Sequence, residues 1–462
     1  MRRRAARGVC VAAAFLLAAC ATHDSPSVTP AARSGPPVAL IVVDGLDARD
    51  VTDSDTPNLA RYWRESPWCA GVHGRAAMPA RTNVNHASLL TGVYPDTHGV
   101  TGNAFWDRTA APPRKLGAAP DLLTETLFTV AHGRTPPVRT AAAVGKAKLE
   151  SMFAATPGGQ AAPSRTWSPK DAPSSARDPT TGYALDAATL AGARALLDDA
   201  PAFLLVNLAD VDRVSHGAGP HSEEARATRR ETDRALAAFV QDVLRRPEWR
   251  DGTLVVTADH GFDATTHPVV DVAAELHAAG LDAALVSVAD GGVAHVYARD
   301  PEAAGRETAL AAARRLALST PGVAEALYRE SNSEDGGDAH VLARVHPDWR
   351  VAHPRAGDLL LVAASGYALA ENGGDEVRLR GNHGAPAERD VAVVAIGGGV
   401  HATDRCDDVT AADLGRTMLD CLGLRDVARL DGAPIAADAR GRKLSGLCTP
   451  ASEATSAALT SP

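Results

Sequence analysis

Three apolar runs of the sequence end in a carboxylate or lead into one, and an acid in such a place can hold a cation. "ALIVVD" ends at Asp44, "LLVNLADVDRVSH" runs on to Asp212 and His216, and "LVVTADH" ends at Asp259 and His260. A further histidine, His383, stands in the glycine-flanked "LRGNHG". Singly, each has a plain reading: an aspartate that caps a helix, a solvated loop, a turn histidine. As a set, three carboxylates and three imidazoles supply three ligands for each of two divalent ions. Mixed Asp/His ligation suits Zn2+, with Mn2+ or Co2+ also compatible. Thr82, which opens "TNVNHASLLTG" where a short helix begins, can complete one set. Two such ions clamp an in-line displacement at phosphorus, and a metal-activated hydroxyl can be the attacker.

The elements that must position these residues are legible as well. "PVALIVVDGL", "PAFLLVNLAD", "GTLVVTADHG" and "DVAVVAIGGG" are continuous apolar runs, of the kind found in parallel strands covered on both faces. Between them lie amphipathic stretches such as "DAATLAGARALLDD" and "SEEARATRRETDRALAAFVQDVLRR", the second with Ser222 placed to cap it. The alternation predicts an α/β fold: a doubly wound, mostly parallel sheet with helices on both faces. Ligand sites in such sheets lie at the carboxyl ends of strands, where the aspartates stand. Residues from about 265 to 380 carry their own strand-like pieces, "AALVSVAD", "VAHVYA" and "DLLLVAA", and a long helix. They predict an inserted α+β subdomain within a catalytic domain spanning 37–448.

The ends of the chain read differently. "MRRRAARG" is basic, "VCVAAAFLL" apolar and too short to span a membrane, and "LAAC" closes a signal segment of residues 1–20. "LAAC" resembles the lipobox of bacterial lipoproteins, which makes Cys20 the expected lipidated residue of an exported, envelope-anchored protein. Residues 21–36 are Ser/Thr/Pro-rich and predict a flexible tether, and 449–462 predict a disordered tail. Removing the four arginines of the leader leaves 43 basic and 56 acidic side chains, a net charge of −13. That balance argues against binding to a nucleic-acid duplex, whereas a small anionic substrate remains compatible with a local metal site. Cys406, Cys421 and Cys448 cluster near the end, so a disulfide is expected among them, with the pairing left open by the presence of Cys69.

The order and local spelling of these residues resemble the alkaline phosphatase superfamily, in its nucleotide pyrophosphatase/phosphodiesterase branch. "RTNVNH" is similar to the branch's nucleophile motif, and "TGVYPDTHG" to its TG-x-x-P-x-x-HG segment. The resemblance implies that Asp44, Thr82, Asp259 and His260 hold one zinc, and Asp212, His216 and His383 the other. It further implies a zinc-activated Thr82, a phospho-threonine intermediate, and phosphoryl oxygens held by Asn103 and the amide of Asn83. Asn85 and His86 are expected to hold the turn and helix start, and His98 to be structural. Two departures stand beside the match: Asn83 occupies a place where diesterases of the branch commonly carry an aromatic, and Val84 replaces a usual proline.

"AAVGKAKLESMF", with "TGNAFWD", also resembles phosphonoacetate hydrolases of the same superfamily. Lys146 and Lys148, alternating after a strand-like run, would then grip a second anionic group, as they also would in a phosphomonoesterase. From a different class comes a non-catalytic envelope lipoprotein that binds a ligand. That reading expects a missing metal ligand, and none is missing.

Overall fold

The structure, a computed structural model, describes residues 35–107, 114–115, 121–153, 163–371, 379–403 and 405–449. The expected signal segment with Cys20, residues 21–34 of the expected tether and the tail after 449 lie outside the described residues. Ten strands carry the architecture: β1 (Val38–Val43), β2 (Thr140–Val144), β3 (Arg165–Trp167), β4 (Phe203–Leu208), β5 (Thr253–Thr257), β6 (Leu285–Asp290), β7 (Val293–Ala298), β8 (Val323–Tyr328), β9 (Leu359–Ala363) and β10 (Val394–Ile396).

The central sheet runs β10-β5-β1-β4-β2-β3. Neighbours pair in parallel except β10, which lies antiparallel to β5 at the edge. Every residue of β1, β2, β4 and β5 is buried, which is why their sequences read as unbroken apolar runs rather than alternating ones. The two faces of β1 enter different cores. Val38, Leu40 and Val42 pack with Leu89, Leu90, Leu414 and Met418, from the helices Thr82–Thr91 and Ala411–Cys421. Ala39, Ile41 and Val43 pack with Leu190, Leu236 and Phe239, from the helices Asp186–Leu197 and Glu223–Leu244. This is the expected doubly wound α/β arrangement. Ser222 caps the long helix as its spelling predicts, its hydroxyl accepting from the Ala225 amide at 3.1 Å.

Within the inserted segment, β6, β7, β9 and β8 form a second sheet in that order, antiparallel throughout. One face is covered by the helices Val272–Ala278 and Arg306–Ser319. The other packs Val293, Leu360 and Val362 against Met78 and Trp349, Met78 belonging to the stretch just before Thr82. Both sheets belong to one compact unit. Among the described residues no helix is long and apolar enough to cross a membrane.

Cys421 pairs with Cys448, the bridge expected within the terminal cluster, while Cys406 reaches back to Cys69 across 337 residues of sequence. Closing so long a loop restricts the unfolded chain. Replacing both members of this long-range pair, Cys69→Ser with Cys406→Ser, should lower the unfolding free energy by about 2–5 kcal/mol. Denaturant titration measures it, and an unchanged midpoint would show that this bridge does not contribute.

Candidate active site

The strands β4, β1 and β5 lie side by side, and their carboxyl ends deliver the acids to one place. Asp44 directly follows β1, and Asp259 and His260 stand two and three residues beyond β5. After β4 the chain turns into the helix Asp210–Ala218, so Asp212 and His216 sit one turn apart on one helix face. The sequence reading puts these two residues at a strand end and includes no helix here. The helix start is secured by a buried carboxylate: Asp186 accepts from the backbone amides of Ala209 and Asp210 at 2.8 and 3.1 Å. His383 follows the short strand Gly381–Asn382, and Thr82 is the first residue of a helix buried along its whole length.

Two groups of potential ligands result. Asp44, Asp259 and His260 form one, and Asp212, His216 and His383 the other, the donor atoms of each lying within 4.8 Å of one another. His260 Nε2 stands 3.6 Å from Asp44, 3.4 Å from Asp259 and 4.0 Å from Asp212, so the groups adjoin. The Thr82 hydroxyl lies 3.3 Å from the same nitrogen. Each histidine is aimed by its other nitrogen. Nδ1 of His216, His260 and His383 donates to the carbonyls of Gly381, Gly261 and Ala80 at 3.0, 3.0 and 2.8 Å. Those bonds fix the tautomer and leave the Nε2 lone pairs facing the carboxylates, the arrangement that presents imidazole to a metal.

The electrostatics agree with that donor set. Burial lowers the pKa of His216 to about 4 and that of His383 well below the usual value, so both stay neutral, as ligands must. Burial and the neighbouring Asp259 raise Asp44. Burial opposes ionisation of Asp212 as well, but the Lys146 ammonium outweighs it and holds this carboxyl below its ordinary value. Asp259 is held down likewise, by His260 and His86. Asp212 Oδ1 and Asp259 Oδ2 are buried without a hydrogen-bond partner. Buried carboxylate oxygens without donors are costly, and a divalent cation in each group would satisfy them. The residues therefore fit two metal ions.

The residues around Thr82 divide the work. Asn85 ties the Ala77–Arg81 turn, accepting from the Ala77 amide at 2.6 Å and donating to the Ala77 and Arg81 carbonyls. His86 contacts the Thr82 carbonyl at 2.9 Å and Asp259 at 3.4 Å, so it supports a ligand as well as the helix. His98 is buried against Ser88 and the Val100 amide, with its pKa lowered to about 3 by burial, and stays structural. The Asn103 side-chain amide lies 3.4 Å from the Asn83 backbone nitrogen. Two supports were not anticipated from sequence. Asn207, inside β4, donates to Asp44 at 2.9 Å. Arg81 sends its guanidinium to the His383 carbonyl at 2.8 Å and to Asp290 at 2.8 Å.

The lysines differ from expectation. The strand ends at Val144 and residues Ala147–Leu149 form a 3-10 turn, so Lys146 and Lys148 do not share a strand face. Lys146 turns inward, its ammonium 2.7 Å from both Asp44 and Asp212, where it stands between the two groups. Burial disfavours its charge, but the two acids more than compensate and raise its pKa. Lys148 is exposed. The charges of Lys146, Asp44 and Asp212 reach its ammonium.

The family model for type I phosphodiesterase / nucleotide pyrophosphatase matches residues 38–386. Among curated relatives, mouse ectonucleotide pyrophosphatase/phosphodiesterase family member 3 is 25% identical over 260 residues, covering 54% of this chain and 27% of the relative. Venom phosphodiesterase of Naja atra is 24% identical, over 52% of this chain and 28% of its own. The chain thus spans about a quarter of the length of these relatives. In structure it is similar to murine ectonucleotide pyrophosphatase/phosphodiesterase 5, with a TM-score of 0.63 at 15% identity over 84% of this chain and 96% of the other. It is equally similar to phosphonoacetate hydrolase from Sinorhizobium meliloti 1021, solved with phosphonoacetate, with a TM-score of 0.63 at 19% identity over the same shares.

Purified protein equilibrated with zinc and then desalted should carry close to two ions per chain, and His216→Ala close to one. Elemental analysis measures this, and equal content in both proteins would show that His216 is not a ligand.

Proposed function

Because the chain belongs to the type I phosphodiesterase / nucleotide pyrophosphatase family, we propose that it is a two-zinc hydrolase of phosphoric esters in which Thr82 is the nucleophile. The observation that carries this reading is the convergence of two three-residue ligand groups with the Thr82 hydroxyl at their edge, 3.3 Å from His260 Nε2. Bound divalent ions would supply Lewis acidity, lowering the pKa of a coordinated hydroxyl and neutralising charge on the phosphoryl group. Asp44, Thr82, Asp259 and His260 would hold one, and Asp212, His216 and His383 the other.

The chain's own groups then account for the displacement. Thr82 Oγ1 forms a bond to phosphorus as the bond to the leaving oxygen breaks, giving phospho-threonine and the first product. Water cleaves that ester, returning the hydroxyl and releasing the second product. Thr82 is the first residue of its helix, so the Asn83 amide lies in the first turn, at the positive end of the helix that favours phosphoryl oxygens. Asn103 adds its side-chain amide beside it, where charge accumulates. Lys146 balances the carboxylates, while Lys148 is the cation placed for a second anionic group of the substrate.

Substrates of the diester and pyrophosphate class agree with the family. One neighbouring structure, of murine ectonucleotide pyrophosphatase/phosphodiesterase 5, holds AMP and another holds phosphonoacetate. The N-terminal segment ending in "LAAC" adds export and a lipid on Cys20 to the proposal.

The purified domain should hydrolyse a chromogenic phosphodiester faster than a monoester or phosphonoacetate, and a chelator should abolish turnover. Preference for phosphonoacetate would move the assignment to carbon–phosphorus cleavage, and chelator-resistant turnover would exclude the metal-dependent mechanism. Thr82→Ala should retain zinc yet lose turnover by about three orders of magnitude or more, in line with removal of a nucleophile. Full activity in that variant would remove Thr82 from the reaction.

A further inference from the structure

Arg81 stands directly before the proposed nucleophile and is buried, as is Asp290 at the end of β6 in the inserted sheet. They form an ion pair of 2.8 Å. The other carboxylate oxygen of Asp290 accepts from the backbone amide of Asn103 at 2.7 Å. The side-chain oxygen of Asn103 finds its donors when it faces Arg81, accepting from Nη2 at 2.9 Å and Nε at 3.1 Å. Arg81 Nη1 meanwhile donates to the His383 carbonyl at 2.8 Å, with the Asn382 side chain at 3.5 Å. Each of the three guanidinium nitrogens thus faces a protein acceptor. A substrate would have to break one of these bonds to be held by Arg81, so its role is exerted through Asn103.

The inserted sheet grips the same turn a second time. His295, on β7, accepts from the Gly357 amide at 3.1 Å, so its other nitrogen donates to the Thr101 carbonyl, also at 3.1 Å. Between β6 and β7, Gly291 and Gly292 press against the His383 loop: Gly292 donates to the His383 carbonyl at 2.9 Å. A Cβ at Gly292 would collide with the backbone of Gly384 and Ala385.

We propose that Asp290 and Arg81 are positioning residues that aim the Asn103 amide at the reacting phosphoryl group. The guanidinium fixes the amide oxygen, so the NH2 end is held toward Asn83, the residue after Thr82. A charged donor on the carbonyl also polarises the amide and strengthens its N–H groups as donors. Asp290 completes the device from a separate sheet, fixing the guanidinium and the Asn103 backbone with one carboxylate. The inference rests on the hydrolase reading above, because Asn103 needs a reaction to serve.

The test is a double-mutant cycle on the zinc-loaded full domain. Asp290→Asn and Arg81→Lys should each lower kcat about 10- to 100-fold, as a misaimed group does, with KM changed less than about threefold and zinc content unchanged. In an Asn103→Ala background the same substitutions should cost less than about threefold, because the group they aim is gone. Equal losses in both backgrounds would overturn the inference, as would wild-type kcat in the single variants. Loss of the fold in both would also overturn it, by making the pair a stability element. A wild-type domain without turnover on any phosphorus ester would instead refute the hydrolase reading.

Discussion

Charge burial is the constraint on which the rest of the site depends. Asp44, Asp212 and Asp259 are almost wholly shielded from water, and ionised carboxylates in such surroundings repel one another and lose their hydration. Among the described residues the buried cation paired with the cluster is Lys146, in contact with two of the three acids. Burial holds His216 and His383 neutral, and their Nδ1–H bonds to backbone carbonyls turn the other ring nitrogen inward, so these two contribute lone pairs rather than charge. Negative charge therefore exceeds positive, and the imbalance faces a set of nitrogen and oxygen donors of the kind that divalent metals prefer. A hydroxyl placed at the edge of such a cluster is exposed to whatever neutralises it.

The parallel part of the fold was legible because burial on both faces leaves a plain trace: an unbroken apolar run of four to six residues. The acids were legible only as a set: one aspartate after such a run can simply cap a helix, whereas three of them with three histidines supply two groups of ligands. What lay hidden depends on tertiary contact. Arg81 reads as an ordinary arginine, and nothing in "VSVADGGVAHV" announces that Asp290 reaches a residue 209 positions earlier. Asn207 sits in the middle of an apolar strand and gains meaning only from the neighbouring Asp44. Lys146 and Lys148 misled because alternation applies only while a strand continues, and this one ends at Val144. The helix from Asp210 was missed because its nine residues give too short a window for periodicity.

The inserted sheet has two different faces for a reason. Its helix-covered side is an ordinary small core, whereas the opposite side meets Met78 and Ala385, which flank the Thr82 and His383 segments. A module of this kind can vary in its outer helices while its inner face stays committed to the central domain. It resembles a wall built against the site more than a separate domain beside it.

The register of the central strand carries a consequence for how the molecule comes into being. Val38 pairs with Phe203 on one side and Thr253 on the other, 165 and 215 positions downstream. During synthesis the segment VALIVV emerges long before either partner exists, so its backbone lacks these partners while the intervening residues are made. Distant pairing of this kind makes folding slow and leaves nascent chains open to wrong associations.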